Sequence, residues 1–354
     1  MRFFLLLLFV PLAFSSQITL EREWTIPDSM GKFVDFQGAL VVNNSHQKIV
    51  SIESEQDLVQ DDLGTIWVQF NDNITSEKIY AKAVVDVDYR TAILSDAPLP
   101  SAPVQATDLT SYDEEMAAKA RQLSSNSSLQ TIANLVNWIH SSMEYDDSYW
   151  DKIKSAKETF QERRGVCVQY AHLFISMASS LGFETRYVTG YVYAGDWQPH
   201  TWTEVYVPSY GWLPADPTYG QVGTFDNHIA IAYGRDQLDT YDALLSKDNE
   251  TSFHVNDTLS IQFSEKQQKD NMNITFDDQS LLIRVAILNP TSEYVFGNYV
   301  FESNYENDSG VLLLKPNQTF NKYYGVNRSL FSDGLSVSAS FNGETEKKNF
   351  IIEW

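Results

Sequence analysis

The chain has 354 residues, which is long enough for two or three domains of ordinary size. A hydrophobic content of 43% and an aromatic content of 13% are typical of a globular protein and exclude a disordered one. The formal net charge of -22 argues against nucleic acid as a partner, because phosphate groups would be repelled.

The first residues are typical of an export signal. Met1 and Arg2 give a short basic start, and residues 3–14 form an apolar run. Small residues before and at Ser15 predict a signal peptide over residues 1–15, cleaved after Ser15. An uncleaved anchor is the alternative, although the run is short for a bilayer span. We therefore expect a secreted or cell-surface protein with no mature transmembrane anchor.

Nine Asn-x-Ser/Thr sequons are candidates for N-glycosylation, and five of them follow residue 250. They are Asn43, Asn73, Asn126, Asn249, Asn256, Asn273, Asn307, Asn317 and Asn327. Together with an export signal, they predict a glycoprotein. The single cysteine excludes an internal disulfide, so an exported chain either buries this thiol or uses it.

Alternating apolar residues predict an N-terminal β domain over residues 16–95, with strands near residues 18–24, 66–70 and 79–87. Residues 96–110 contain Pro98, Pro100 and Pro103 and are predicted to be a linker.

The catalytic candidates fall in a predicted α+β domain over residues 111–245. Ser111 is expected to cap one helix, and Ser127 or Ser128 the next. A third helix begins at Cys167 and ends at Gly182. Strands are predicted over residues 185–193, 200–207 and 212–216, with His200 opening the second of them.

Short alternating strands return in residues 252–354, which predicts a C-terminal β-sandwich domain. The expected fold is therefore multidomain, with a central α+β core flanked by two small, sandwich-like all-β regions.

Cys167, His200 and Asp216 together fit a cysteine nucleophile system. A thiol at a helix N-terminus is stabilised as the thiolate by unpaired backbone N–H groups and the helix dipole. Gly165, two residues earlier, allows a tight turn and close approach. An imidazole can hold the thiol proton and return it to a leaving group, and a carboxylate behind the imidazole fixes its orientation.

The region from about residue 110 to residue 245 resembles the transglutaminase-like superfamily, a papain-like α+β fold. The similarity lies in residues 165–167, 171–174, 181–191, 200–205 and 211–218, in that order. It implies Cys167 as nucleophile, His200 as base and acid, and Asp216 as the group that orients His200. Members of this superfamily include protein cross-linkers, amidases, peptidases and proteins without activity, so the resemblance leaves the reaction open.

The second oxyanion donor, beside the Cys167 backbone N–H, has three candidates: Gln161, Tyr145 and Trp150. No cofactor is expected. A metal centre is not expected either, because the six histidines and one cysteine are scattered and form no cluster in the sequence.

The predicted function is an exported, transglutaminase-like cysteine acyltransferase, peptidase or amidase. It would form a thioester on a protein or peptide substrate, and water or an amine would resolve that thioester. The alternative is a non-enzymatic cell-surface, adhesion or binding module that retains the fold, with the β domains providing the surface association.

Overall fold

The computed structural model describes residues 15–88, 92–101, 104, 106–223, 227–246, 252–262, 273–278, 282–303, 306–325, 335–341 and 344–350. Most of the regular structure in these residues is β-strand, arranged in several sheets, with four α-helices in the middle of the described chain. The predicted signal peptide lies outside the described residues except for Ser15, and so do the sequons at Asn249 and Asn327.

Two four-stranded sheets form the N-terminal β region. Its strands are β1 (Ser15–Thr25), β2 (Phe33–Val42), β3 (Gln47–Ser54), β4 (Asp57–Gln60), β5 (Thr65–Asn73) and β6 (Lys78–Asp88). The first sheet contains β1, β6 and β3 in that order, and the second contains β2, β5 and β4. Alternate apolar residues of the two sheets meet in one hydrophobic core that includes Leu20, Trp24 and Phe36.

In the central domain, four helices and a two-stranded parallel bridge precede a sheet along the chain. Its elements are α1 (Glu114–Leu123), α2 (Ser128–Ser142), β7 (Glu144–Tyr145), α3 (Ala156–Glu162), β8 (Arg164–Gly165), α4 (Cys167–Ser180), β9 (Thr185–Tyr193), β10 (Trp197–Val207), β11 (Gly211–Asp216), β12 (Gln221–Val222) and β13 (His228–Gly234). The sheet is antiparallel with the order β12-β11-β10-β9-β13. Helix α4 packs against β9 and β10 and is buried on nearly every side.

The helix ends follow local capping chemistry. Asp113 caps α1 by accepting a hydrogen bond from the Met116 N–H at 3.0 Å, so the prediction of Ser111 as this cap was wrong. Ser127 caps α2 through Gln130 N–H at 2.9 Å, one of the two predicted choices. Helix α4 ends before Gly182, whose φ of 95° lies in the left-handed region that favours glycine.

Two strands that follow the central sheet return to the N-terminal region. They are β14 (Ala243–Ser246), which pairs with β2, and β15 (His254–Gln262), which pairs with β1 along its whole length. The sequence assigns β14 to the central domain and β15 to a C-terminal domain beginning at residue 252. The alternation of apolar residues that predicts a strand does not specify the sheet it joins, which is why the pairing differs from that assignment.

The remaining strands form a three-stranded and a four-stranded sheet with a core of their own. They are β16 (Asn273–Asp278), β17 (Leu282–Leu288), β18 (Val295–Ser303), β19 (Asn307–Leu314), β20 (Thr319–Gly325), β21 (Leu335–Phe341) and β22 (Glu344–Phe350). Val311 of β19 exchanges two hydrogen bonds with the Asn137 side chain on α2, at 2.6 and 2.8 Å. This contact ties the C-terminal sheets to the helical half of the central domain.

Two surface features bear on the predicted location. Each of the seven sequon asparagines within the described residues is exposed, as a glycan acceptor must be. Among the helices of the described chain, none combines the length and the apolar character required to cross a bilayer.

Candidate active site

Cys167 is the first residue of α4, and a short-range scaffold fixes its position. Gln169 Oε1 accepts a hydrogen bond from the Val166 N–H at 2.9 Å, while the Gln169 side-chain NH₂ donates to the Lys152 carbonyl at 2.9 Å. Gly165 permits this arrangement, since a Cβ there would lie 2.5 Å from the Gln169 Cβ. The close approach is therefore to Gln169, and it sets the helix N-terminus that carries the thiol.

The central sheet brings His200 and Asp216 together. Strand β10 pairs with β11 in a register that places Thr203 opposite Ala215, which puts Asp216 diagonal to His200 across the two strands. The His200 Nε2 lies 2.7 Å from Asp216 Oδ2. The sequence predicts that His200 opens its strand, and this was wrong. Strand β10 begins at Trp197 and pairs with β9 from there.

The three residues form one buried row. Cys167 is 3% exposed, His200 is 6% exposed and Asp216 is fully buried. Burial alone would lower the pKa of His200, but the charge and hydrogen bond of Asp216, together with a hydrogen bond to Cys167, outweigh it and raise that pKa. Because Nε2 faces Asp216, the remaining ring nitrogen, Nδ1, is the one available to the thiol.

The Asp216 carboxylate is satisfied on both oxygens. Its Oδ1 accepts hydrogen bonds from the backbone N–H groups of Thr218 at 2.8 Å and Tyr219 at 3.1 Å. Burial alone would raise the pKa of Asp216, but the interactions with His200 and His228 outweigh it and hold that pKa well below its usual range. Asp216 is therefore a carboxylate at neutral pH.

Two half-exposed tyrosines lie close to Cys167 and His200: Tyr145 pairs with Gly165, and the Tyr219 ring packs against His200 at a centroid distance of 5.1 Å. Tyr145 is 49% exposed and Tyr219 is 43% exposed. Partial burial and then the charge of Cys167 raise the pKa of Tyr145 to about 12. Partial burial and the charges of Asp216 and Cys167 also raise the pKa of Tyr219. Both hydroxyl groups therefore stay protonated at neutral pH and can donate hydrogen bonds near Cys167.

The three oxyanion candidates do not share one location. Tyr145 pairs with Gly165 in the short parallel bridge, which places it next to the start of α4. Gln161 is exposed on α3, and Trp150 is 63% exposed after the 3₁₀ turn Asp147–Tyr149. Tyr145 is therefore the candidate that the fold places beside the helix start that carries Cys167.

His228 is a site residue that the sequence analysis missed. It is the first residue of β13, and its Nε2 lies 3.2 Å from the same Asp216 Oδ2 that faces His200. A bulge between Ala230 and Ala232 shifts the β13 register against β9. The only signal in the sequence was a histidine directly before the apolar stretch 229–233. Such a histidine is as typical of a packed core residue as of a site residue.

The expectation that the histidines form no cluster was wrong for this pair. One ring nitrogen each of His200 and His228 and one carboxylate oxygen of Asp216 lie within 4.8 Å of one another. These atoms already satisfy one another through hydrogen bonds at 2.7 and 3.2 Å. We therefore interpret the trio as a hydrogen-bonded network that supports Cys167.

Comparison with known protein families locates the similarity in the central domain. Residues 115–217 match the model of the transglutaminase-like superfamily, a segment that contains Cys167, His200 and Asp216. The resemblance that the sequence motifs indicate is thus confirmed for this segment.

Two curated relatives share parts of the chain. An uncharacterized protein of Mycobacterium leprae is 25% identical over 146 residues, which are 38% of this chain and 51% of the relative. The peptide-N(4)-(N-acetyl-beta-glucosaminyl)asparagine amidase of Gallus gallus is 37% identical over 67 residues, 19% of this chain and 9% of the relative. The chain therefore spans at most about half the length of these relatives.

A solved structure shares the wider fold. A candidate cysteine protease from Cytophaga hutchinsonii aligns with a TM-score of 0.54 and 19% identity, covering 72% of this chain and 92% of that one. At this identity the similarity concerns the fold. Since the alignment reaches well beyond residues 115–217, part of the surrounding β structure is shared as well.

Proposed function

We propose that the protein is a cysteine-dependent enzyme that cleaves an amide bond of a protein or peptide through a thioester on Cys167. The observation that carries the proposal is the buried row of Cys167, His200 and Asp216, with the thiol at a helix N-terminus. The match to the transglutaminase-like superfamily and the partial similarity to an amidase support a reaction at an amide carbonyl.

The chemistry follows from the hydrogen bonds of His200. In the first step, Nδ1 takes the thiol proton as Sγ bonds to the amide carbonyl carbon. Nδ1 then gives that proton to the departing nitrogen as the C–N bond breaks, which leaves a thioester. Asp216 holds Nε2 at 2.7 Å and stabilises the imidazolium that forms between these events.

The tetrahedral intermediate needs donors for its oxyanion. The Cys167 backbone N–H at the start of α4 provides one of them. Tyr145 is the second donor in this proposal, because its hydroxyl stays protonated and its backbone pairs with Gly165, two residues before Cys167. Water or an amine then attacks the thioester carbonyl carbon while Nδ1 takes its proton, and Nδ1 gives that proton to Sγ as the C–S bond breaks.

Hydrolysis is the outcome that we favour over amine transfer. The partial similarity to an amidase supports attack by water on the thioester. We propose further that the protein acts outside the cell. The apolar run at residues 3–14 and the seven exposed sequon asparagines support export and glycosylation.

The test uses glutamine-containing peptides with and without a primary amine, analysed by mass spectrometry, with Cys167→Ala as the matched control. We expect deamidation or cleavage of the peptide that is lost in the variant. Incorporation of the amine would instead establish transfer. The absence of any product from a folded protein across a peptide library would contradict the proposed enzyme.

One observation favours a non-enzymatic binding module as the second candidate. Cys167 and His200 are almost completely buried, which restricts access to the thiol. A buried thiol in a retained fold would be inert, and the β regions would then provide the functional surface. Slow alkylation of Cys167 at every pH below 8 would favour this candidate.

A further inference from the structure

The carboxylate of Asp216 serves two imidazoles at once. His200 Nε2 lies 2.7 Å and His228 Nε2 lies 3.2 Å from the same oxygen, Oδ2. A cysteine, histidine and carboxylate row requires only the first of these contacts. The second contact needs a physical account of its own.

The far side of the His228 ring also faces an oxygen. Its Nδ1 lies 2.8 Å from Asn227 Oδ1. The orientation of that amide is set independently, because the Asn227 NH₂ group donates to the Tyr193 carbonyl at 2.9 Å. The amide oxygen, and not the NH₂ group, is thereby turned towards His228.

Both ring nitrogens of His228 therefore face hydrogen-bond acceptors. A neutral imidazole has one N–H, so one of its nitrogens would present a lone pair to an oxygen lone pair. An imidazolium donates from both nitrogens and satisfies both contacts. The fully buried carboxylate of Asp216 supplies the opposite charge.

The surroundings hold the ring in place. His228 is 4% exposed, and the Trp202 ring packs edge-to-face against it at a centroid distance of 4.9 Å. Within the described residues, the titratable groups around His228 lie on β10, on β11, in the turn that follows β11 and across an adjoining cavity. They are His200, Glu204, Asp216, Tyr219 and His46. Of these, Glu204 is already paired with Arg186.

We propose that His228 is an imidazolium held between Asn227 and Asp216, and that it acts as a positioning residue by competing with His200 for the carboxylate. The effect on His200 and Cys167 rests on the proposed function; the charge state of His228 does not. Because His228 already uses the charge of Asp216, it opposes a second imidazolium on His200. It thereby moderates transfer of the thiol proton to His200 in the resting enzyme.

The charge state is tested by NMR on the Cys167→Ala protein, in which no nucleophile is present. Long-range ¹H–¹⁵N spectra distinguish protonated from unprotonated ring nitrogens, and loss of a signal set in a Cys167→Ala, His228→Gln protein identifies His228. We expect both nitrogens of His228 to be protonated at pH 7. An unprotonated Nε2 or Nδ1 at that pH would overturn the proposal.

The competition is tested by the pH titration of His200 in the Cys167→Ala protein, followed in the same ¹H–¹⁵N spectra, a readout that needs no substrate. The amide of His228→Gln can still donate to Asp216 but carries no charge and leaves the Asp216 charge to His200 alone, so we expect the midpoint of the His200 titration to rise by about one pH unit. His254→Gln, an exposed histidine on β15, is the matched control and should leave the midpoint unchanged.

A second variant guards against misfolding of His228→Gln. Asn227→Ala removes the acceptor on Nδ1 and allows a neutral His228, so its midpoint should shift in the same direction by a smaller amount. An unchanged or lowered His200 midpoint in a folded variant would overturn the competition. A chain that turns over no amide can still show the predicted charge state and shift, which keeps this proposal separable from the proposed reaction.

Discussion

His172 is an imidazole that burial keeps uncharged. It is fully buried within α4, and its Nδ1 lies 3.2 Å from the Lys154 carbonyl, to which it donates. No hydrogen-bond partner for its Nε2 occurs among the described residues. Burial lowers the pKa of His172 to about 4, because the charged form would lose its hydration.

The stability of the protein should therefore fall between pH 7 and pH 5. The unfolded chain binds a proton on His172 near pH 6.5, whereas the folded chain resists it until about pH 4, so unfolding is favoured as the pH falls. The expected loss from this group is about 2 kcal/mol. Urea unfolding at the two pH values should show that His172→Gln reduces the loss, while His254→Gln does not. An equal loss in His172→Gln would contradict this account.

The row of Cys167, His200 and Asp216 could be predicted because each member has its own local pattern. Cys167 follows a glycine at a helix start, His200 lies in an alternating strand, and Asp216 ends the strand that returns to it. The contact of His228 with Asp216 could not be predicted, because it depends on a register shift in β13 and on an amide orientation set by Tyr193. Neither of these leaves a periodic pattern in the sequence.

Strand β9 is the element on which both histidines depend. Its Gly190 pairs with His200 on one side and with Ala230, two residues after His228, on the other. A Cβ at Gly190 would lie 2.0 Å from the Ile229 carbonyl oxygen and 3.0 Å from the Trp202 ring. The backbone of β13 would have to move to accept any side chain at this position.

Gly190→Ala should therefore damage both the stability and the site. We expect a loss of about 1–3 kcal/mol in the free energy of unfolding, and slower alkylation of Cys167 because His200 and His228 shift. Gly195→Ala, in the β9–β10 turn, is the matched control. Its Cβ meets open space, and its φ of 92° makes a side chain strained there. Gly195→Ala should lower the stability and leave the rate of Cys167 alkylation unchanged. A normal alkylation rate in Gly190→Ala would refute the role of the Gly190 contact.

Secondary structure was easier to predict at this scale than strand partners. The predicted strand over residues 185–193 coincides with β9, because its flanking residues and alternation are local signals. The return of β15 to pair with β1 was not predicted, since it joins residues more than 200 positions apart. That pairing is fixed by which apolar faces meet in the final core.

At the scale of the whole molecule, the N-terminal sheets and the central sheet share one core. Ile229 and Ile231 of β13 are buried in the same hydrophobic cluster as Trp24 and Phe36. The Gln47 side chain adds two hydrogen bonds to the backbone of Ala230, at 2.8 and 2.9 Å. The strand that carries His228 is therefore held by the N-terminal region as well as by its own sheet.

A buried ion network reinforces this junction. Arg22 of β1 lies 2.8 Å from Asp257 of β15 and 3.5 Å from Asp242, while Asp242 also accepts a hydrogen bond from the Trp24 indole at 2.7 Å. The Tyr191 hydroxyl of β9 donates to Asp257 and connects the network to the central sheet. A buried network of this kind holds its members in one arrangement, so the site depends on strands from both parts of the chain.

The central claim is that His200 activates Cys167. Because Cys167 is the only cysteine, the rate of alkylation by iodoacetamide reports on this thiol alone. The measurement is that rate at pH 6 for the wild-type protein, for His200→Ala and for a free thiol in solution. The account predicts a wild-type rate roughly tenfold or more above both. A wild-type rate no faster than the free thiol, and unchanged by His200→Ala, would contradict it.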